Sequence, residues 1–132
     1  MSTGTIIVQS AINVSNGSLQ YNSNPRGFTA VQTNAGGPTP GTLSIPTSVT
    51  DVTFSALTLP GVIHLVNLDA TNFVTFGLHD TSVFRPLGEI LPGETWVFRL
   101  SRTLLTANTA ADKFALLADT ATVKVLVACF DS

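Results

Sequence analysis

Two histidines, two glutamates around a turn, a lone cysteine and many serines are the residues of this chain that could do chemistry. His64 lies in VIHLVNL and His79 in FVTFGLHD, so a metal site or a general base is the first possibility to weigh, although ligands added from Asp69 or Asp80 would need an unusual loop. If residues 62–68 and 73–79 pair as an antiparallel hairpin closed near Asp69–Thr71, His64 falls opposite residue 75 or 76 and His79 near Gly61. At about 3.3 Å per residue the imidazoles then stand more than about 10 Å apart, too far to share one ion. His79–Asp80 reads instead as a strand-end polar pair. The serines lack a G-x-S-x-G elbow and the strand-to-helix turn that would expose a nucleophile.

Glu89 and Glu94 flank the turn in GEILPGE and have the residue types of an acid/base pair for sugar hydrolysis. Aromatic residues make up only 8% of the chain, which leaves little on which to stack a sugar, although Trp96, Phe73 and Asn/Asp side chains could form a lectin-like site. Arg85 is expected to pair with Glu89 and stiffen that turn, worth at most about 1 kcal/mol if exposed. Cys129 has no second thiol to pair with and sits in the apolar run VKVLVACF, so it reads as a small buried hydrophobe. No phosphate-cradling Gly-rich loop is present. No catalytic residue, cofactor or metal ligand is expected.

The elements that must hold these residues are strands. Nearly every apolar run is short, β-branched or aromatic, and is stopped by Gly, Pro, Asn or Asp. In TIIVQSAINVSNGSLQY, Asn16-Gly17 is placed to turn a hairpin, because both residues tolerate positive φ. NSNPRG then breaks the chain, FTAVQT resumes it, and Asn34–Gly41, with three Gly and two Pro, reads as a surface loop. From Gly41 onward strand-length runs recur at roughly 8 to 12 residues, the rhythm of a sandwich or barrel. Both LPG segments, 59–61 and 91–93, suit turns with Pro second and Gly third. One short helical turn is allowed near 103–112.

Alternation assigns faces. Trp96, Phe98 and Leu100 share one face of ETWVFRLSR, and Val97, Arg99 and Ser101 the other. In the last strand Val123, Val125, Val127 and Cys129 oppose Leu126, Ala128 and Phe130 with Lys124, so both faces are largely apolar and the second needs a cover, a sheet, a loop or a neighbouring subunit.

A chain of 132 residues is one domain's worth, residues 1–132, with a possible N-terminal arm at 1–4. Charged residues reach 11%, less than half of the roughly 25% usual in soluble domains, and the net charge is −2. Thr, Ser and Asn supply the polar coat, so much of this surface is expected to face copies of itself or another protein. Six scattered Lys and Arg argue against nucleic acid, and no apolar stretch approaches the roughly 18 residues of a membrane span. The N-terminus has no basic leader, and the chain reads as made in the cytosol and soluble.

With LPGVIHLVNLDATNFVTFG, FRPLGEILPGETWVFRLSR and LLADTATVKVLVACF in that order, the chain resembles small structural proteins from virion gene clusters of tailed bacteriophages. The likeness covers most of the chain and is most specific from Leu59 to Arg102. It implies a β-sandwich virion component, assembled in the host cytoplasm, that acts by assembly and brings no active site. Asn67, Asp69, Asn72, Gly77, Gly88, Pro92, Gly93 and Glu94 match its pattern, and each reads as turn chemistry.

Together these readings give an all-β, antiparallel, jelly-roll-like sandwich. The expected role is a head decoration or cementing protein, a homo-oligomer, with a trimer as the expected state, that also contacts other virion proteins such as the major capsid protein. The alternatives are a carbohydrate- or receptor-binding module of a tail or fibre, a neck or tail accessory protein and, last, a small hydrolase. Contact surfaces are expected at the arm, at Asn34, Gly37 and Pro40 in the loop, at Leu126 and Phe130 on the last strand, and at Arg99 and Arg102.

Overall fold

The computed structural model describes residues 4–32, 34–54, 56–80, 82–100 and 113–132; the expected helical turn near 103–112 and Arg102 lie outside them. Among the described residues there are twelve strands and no helix. The chain divides into two compact units, Met1–Ala35 and Gly36–Ser132.

The first unit is one long hairpin. Strands β1 (Gly4–Ser10) and β4 (Arg26–Gln32) pair antiparallel from Gly4 with Gln32 to Ser10 with Arg26, and β2 (Asn13–Asn16) and β3 (Leu19–Asn22) form its tip. The turn lies one residue later than the sequence implies: Asn16 pairs with Leu19, and Gly17, at φ +58°, takes the first turn position. Between tip and base the second strand carries one more residue than the first. Ser23 still pairs with Ile12, donating its N–H to Ile12 O and accepting the Ile12 N–H on Oγ, so the extra residue falls at Asn24-Pro25, where Asn24 has φ +53°. The last residue of the expected arm, Gly4, is already in β1.

The second unit holds β5 (Thr39–Ile45), β6 (Thr50–Asp51), β7 (Pro60–Asn67), β8 (Val74–His79), β9 (Phe84–Ile90), β10 (Thr95–Arg99), β11 (Lys113–Ala118) and β12 (Val123–Asp131). β5 pairs with β12, β6 with β11, β7 with β10 and β8 with β9, four nested antiparallel pairs around the β8–β9 connection. Further pairing of β12 with β7 and of β11 with β8 rolls this double strand into two four-stranded sheets, β10-β7-β12-β5 and β6-β11-β8-β9. That strand order is a jelly roll, as expected.

The inner faces supply the core. Ile63, Leu65, Val125, Val127 and Cys129 of the first sheet and Val74, Phe76, Phe114 and Leu116 of the second belong to one buried cluster. The alternation read from the sequence holds here: Val123, Val125, Val127 and Cys129 are all fully buried. Leu126 and Phe130 on the opposite face are half-buried, with Val62 and Ala128 beside them buried, so they are no bare patch.

Three local readings are corrected. Residues 62–68 and 73–79 do not form a hairpin; β7 and β8 lie in different sheets, because β7 is claimed by β10 and β12. The first LPG is not a turn: Pro60 opens β7, where its missing N–H costs nothing, while Leu59 is held by Asp131 Oδ1 and the Ser132 N–H. The loop after Asn34 is short, since Thr39 and Pro40 already belong to β5.

Candidate functional site

The chain passes from β7 to β8 through Asn67–Phe73, and the corner is built on two side chains. Asn67 is 1% exposed and fully engaged. Its Nδ2 donates to Asn72 O at 3.0 Å and Ile90 O at 2.9 Å, and its Oδ1 accepts the Asp69 N–H at 2.8 Å. Asp69 Oδ2 accepts the N–H groups of Thr71 and Asn72 at 3.0 and 2.6 Å. These bonds, that from Asn72 first, hold the Asp69 carboxyl below its ordinary range. Thr120 Oγ1 donates to Asn72 Oδ1 and ties in the β11–β12 connection.

The same corner anchors the β9–β10 turn, Leu91-Pro92-Gly93-Glu94. The Asn67 N–H donates to Glu94 O and the Gly93 N–H to Asn67 O. Within the turn Glu94 N–H donates to Leu91 O, Glu94 Oε1 accepts the Leu91 N–H at 2.7 Å, and Gly93 has φ +79°. This second LPG is the turn the sequence implies. Asn67, Asp69, Asn72, Pro92, Gly93 and Glu94 therefore meet at one end of the sandwich.

Gly77 and Gly88 are not turn residues. Both lie inside strands, where a β9 bulge at Leu87 brings backbones close: a Cβ on Gly77 would stand 2.2 Å from Arg85 O. A Cβ on Gly88 would stand 2.7 Å from the Phe76 ring, so this glycine makes room for an aromatic stack. In that stack the Phe76 and Trp96 rings are 4.5 Å apart and the Trp96 and Phe98 rings also 4.5 Å.

Beside this stack an open cleft of about 540 Å³ runs between edge strands β9 and β10. Trp96, 40% exposed, and Leu87, 73% exposed, give it apolar walls; Glu89 and Glu94 give it negative charge, with no Lys or Arg in the lining. An exposed indole next to carboxylates can hold a sugar face, or a cation with an apolar neighbour. Trp96 and the two glutamates were visible in the sequence, whereas Leu87 was not, because nothing local marks the bulge that turns it outward.

The remaining candidates have other partners. His64 Nε2 meets Thr95 Oγ1 at 2.5 Å in one sheet, and His79 Nδ1 meets Asp51 Oδ1 at 2.7 Å in the other, so His79 does not pair with Asp80. Lys113 Nζ stands 4.0 Å from the second Asp51 oxygen. Arg85 donates to Asp80 Oδ2 at 2.8 Å and not to Glu89. Asp80 is already fixed by the Ser82 and Val83 N–H groups at the head of the same hairpin, which pull its carboxyl well below the usual range, with Arg85 adding to the effect. No group of three or more His, Cys, Asp or Glu among the described residues is gathered for a metal.

Cys129 is fully buried, and burial pushes its thiol up to about 11. Arg99 directs Nη1 to the O and Oγ of Ser132, 3.3 Å each, within its own chain. Asn34, Gly37 and Pro40 are exposed.

Sequence reasoning passed over the apolar surface of the first unit. Ile7 is 70% exposed, Ile12 and Val31 each 61%, Leu19 57%, Tyr21 56% and Phe28 47%. The available signal was charge: Arg26 is the one charged side chain in residues 1–35. No protein family, curated protein or solved structure matches the chain.

Proposed function

We propose that this chain is a non-enzymatic structural protein of a tailed-bacteriophage particle, a capsid decoration subunit that acts by assembling with copies of itself and with the major capsid protein. The observation that carries the assembly part is the first unit, a hairpin with one charged side chain and six large apolar residues more than 45% exposed. Two strands cannot bury such a surface between them, and its apolar side chains stay in water until a partner covers them. The virion setting rests on the motif order from Leu59 to Arg102 and accords with a jelly roll, a fold that recurs in capsid proteins. Purified particles analysed by mass spectrometry and image reconstruction test it: many copies on the head surface are expected, and particles lacking the chain with unchanged stability would overturn it.

The Trp96 cleft favours one second reading, a carbohydrate- or receptor-binding module of a tail or fibre. A glycan array separates the two, since sustained binding lost in Trp96→Ala belongs to the second reading alone.

A further inference from the structure

We propose that the face of β4 bearing Arg26 and Phe28 in one copy seats in the Trp96 cleft of a second copy. This deepens the self-assembly part of the function proposed above. Arg26 and Phe28 are two residues apart on a strand, so they project from one face about 7 Å apart. Phe28 is 47% exposed, and Arg26 has no ion-pair partner among the described residues. The cleft offers what this pair lacks: Trp96 and Leu87 as an apolar wall, and Glu89 with Glu94 as uncompensated negative charge.

Charge decides between the possible pairings. All eight acidic residues lie at or after Asp51, so residues 36–132 carry a net −3 from eight acids and five bases, while residues 1–35 carry +1. Hairpin on hairpin would bring Arg26 toward Arg26, and cleft on cleft would bring glutamates together. Hairpin on cleft is the pairing that covers apolar surface on both sides and joins opposite charges. Such a contact is head-to-tail: it closes into a ring where the rotation allows and otherwise continues as a lattice, and both serve a multi-copy subunit.

Glu94 holds the turn through Leu91, so Glu89 is the carboxylate to exchange in a test. Sedimentation velocity on the full-length protein and on Arg26→Glu and Glu89→Arg, alone and mixed in equal amounts, reads the contact. The parent is expected to self-associate. Arg26→Glu sets a carboxylate against both glutamates, and Glu89→Arg sets Arg26 against a guanidinium with Glu94 alone left to attract it, so each variant alone should associate at least about tenfold more weakly. The mixture should regain association, because each variant supplies the complement of the other. Trp96 is the chain's one tryptophan, so its emission should shift to the blue with concentration in the parent and in the mixture but in neither variant alone.

Variants that associate like the parent, or a mixture no larger than its parts, would overturn the proposal, as would a parent that stays monomeric at every concentration. A monomeric parent whose Trp96 emission titrates with a glycan would overturn it too and assign the cleft to sugar. A chain found on particles yet monomeric when pure sinks this contact alone, whereas one that associates as stated but is missing from particles sinks the virion reading alone.

Discussion

Asn67 shows how one buried amide can hold the corner between two sheets. Its carboxamide serves Asn72 O, Ile90 O and the Asp69 N–H, all of which lose a partner if it is truncated. At about 1–3 kcal/mol for a buried group left unpaired, as Ile90 O would be, and less for the two part-buried groups, Asn67→Ala should lower stability by about 2–3 kcal/mol, measured by urea unfolding. Asp69 and Asp80 act through their ionised forms. Both have folded-state pKa values below the unfolded one, so the stability they contribute is present above about pH 4 and is lost as the pH falls toward the folded values. Asp80→Asn should therefore flatten the dependence of the melting temperature on pH below about 4, as followed by circular dichroism. The polar character of VNLDATNFVTFG was legible in the sequence, but its purpose was only half so. Asx bonding looks the same in a hairpin and in a corner between sheets, and the difference lies in β10 and β12, which claim β7 from far along the chain.

Among the elements, β8 and β9 show why glycine type alone does not reveal glycine role. Gly77, Gly88 and Gly93 all read as turn residues, yet only Gly93 has positive φ, and a Cβ there meets open space. Gly93→Ala should cost about 1 kcal/mol of turn strain. Gly77→Ala sets a Cβ 2.2 Å from a backbone oxygen of the neighbouring strand, an overlap that no rotamer relieves. It should cost more, about 2–3 kcal/mol, and a thermal melt ranking the two in the opposite order would remove this assignment. Strand alternation was legible because it is local: the Trp96–Phe98 and Val123–Cys129 faces point where their period places them. The β9 bulge was not, since it is set by register against β8, and with it went the position of Leu87 and the shape of the cleft.

On the scale of the whole molecule, the sequence divides its tasks along the chain. Every residue of the core cluster lies at or after Ile45, and the four nested strand pairs close entirely within Gly36–Ser132. The C-terminal residues complete that unit: Asp131 Oδ1 accepts the Leu59 N–H, the Asp131 N–H donates to Gly36 O, and Ser132 Oγ accepts the Val62 N–H. A chain of residues 36–132 therefore retains the whole core cluster, whose burial contributes roughly 25 cal/mol per Å², and should melt in one cooperative transition. Residues 1–35 alone should not, because an isolated two-stranded hairpin is marginal in water. The shortened chain, freed of the exposed Ile7, Ile12, Leu19, Tyr21, Phe28 and Val31, should also remain dispersed at concentrations where the full chain associates. Phe130→Asp provides the contrast. Its neighbours Val62 and Ala128 are buried within the chain, so this change should lower the melting temperature and assembly together, whereas loss of residues 1–35 should lower assembly alone. Calorimetry and light scattering on the two variants read both quantities. If 36–132 fails to melt cooperatively, the first unit is part of the folding core and the division of labour is wrong.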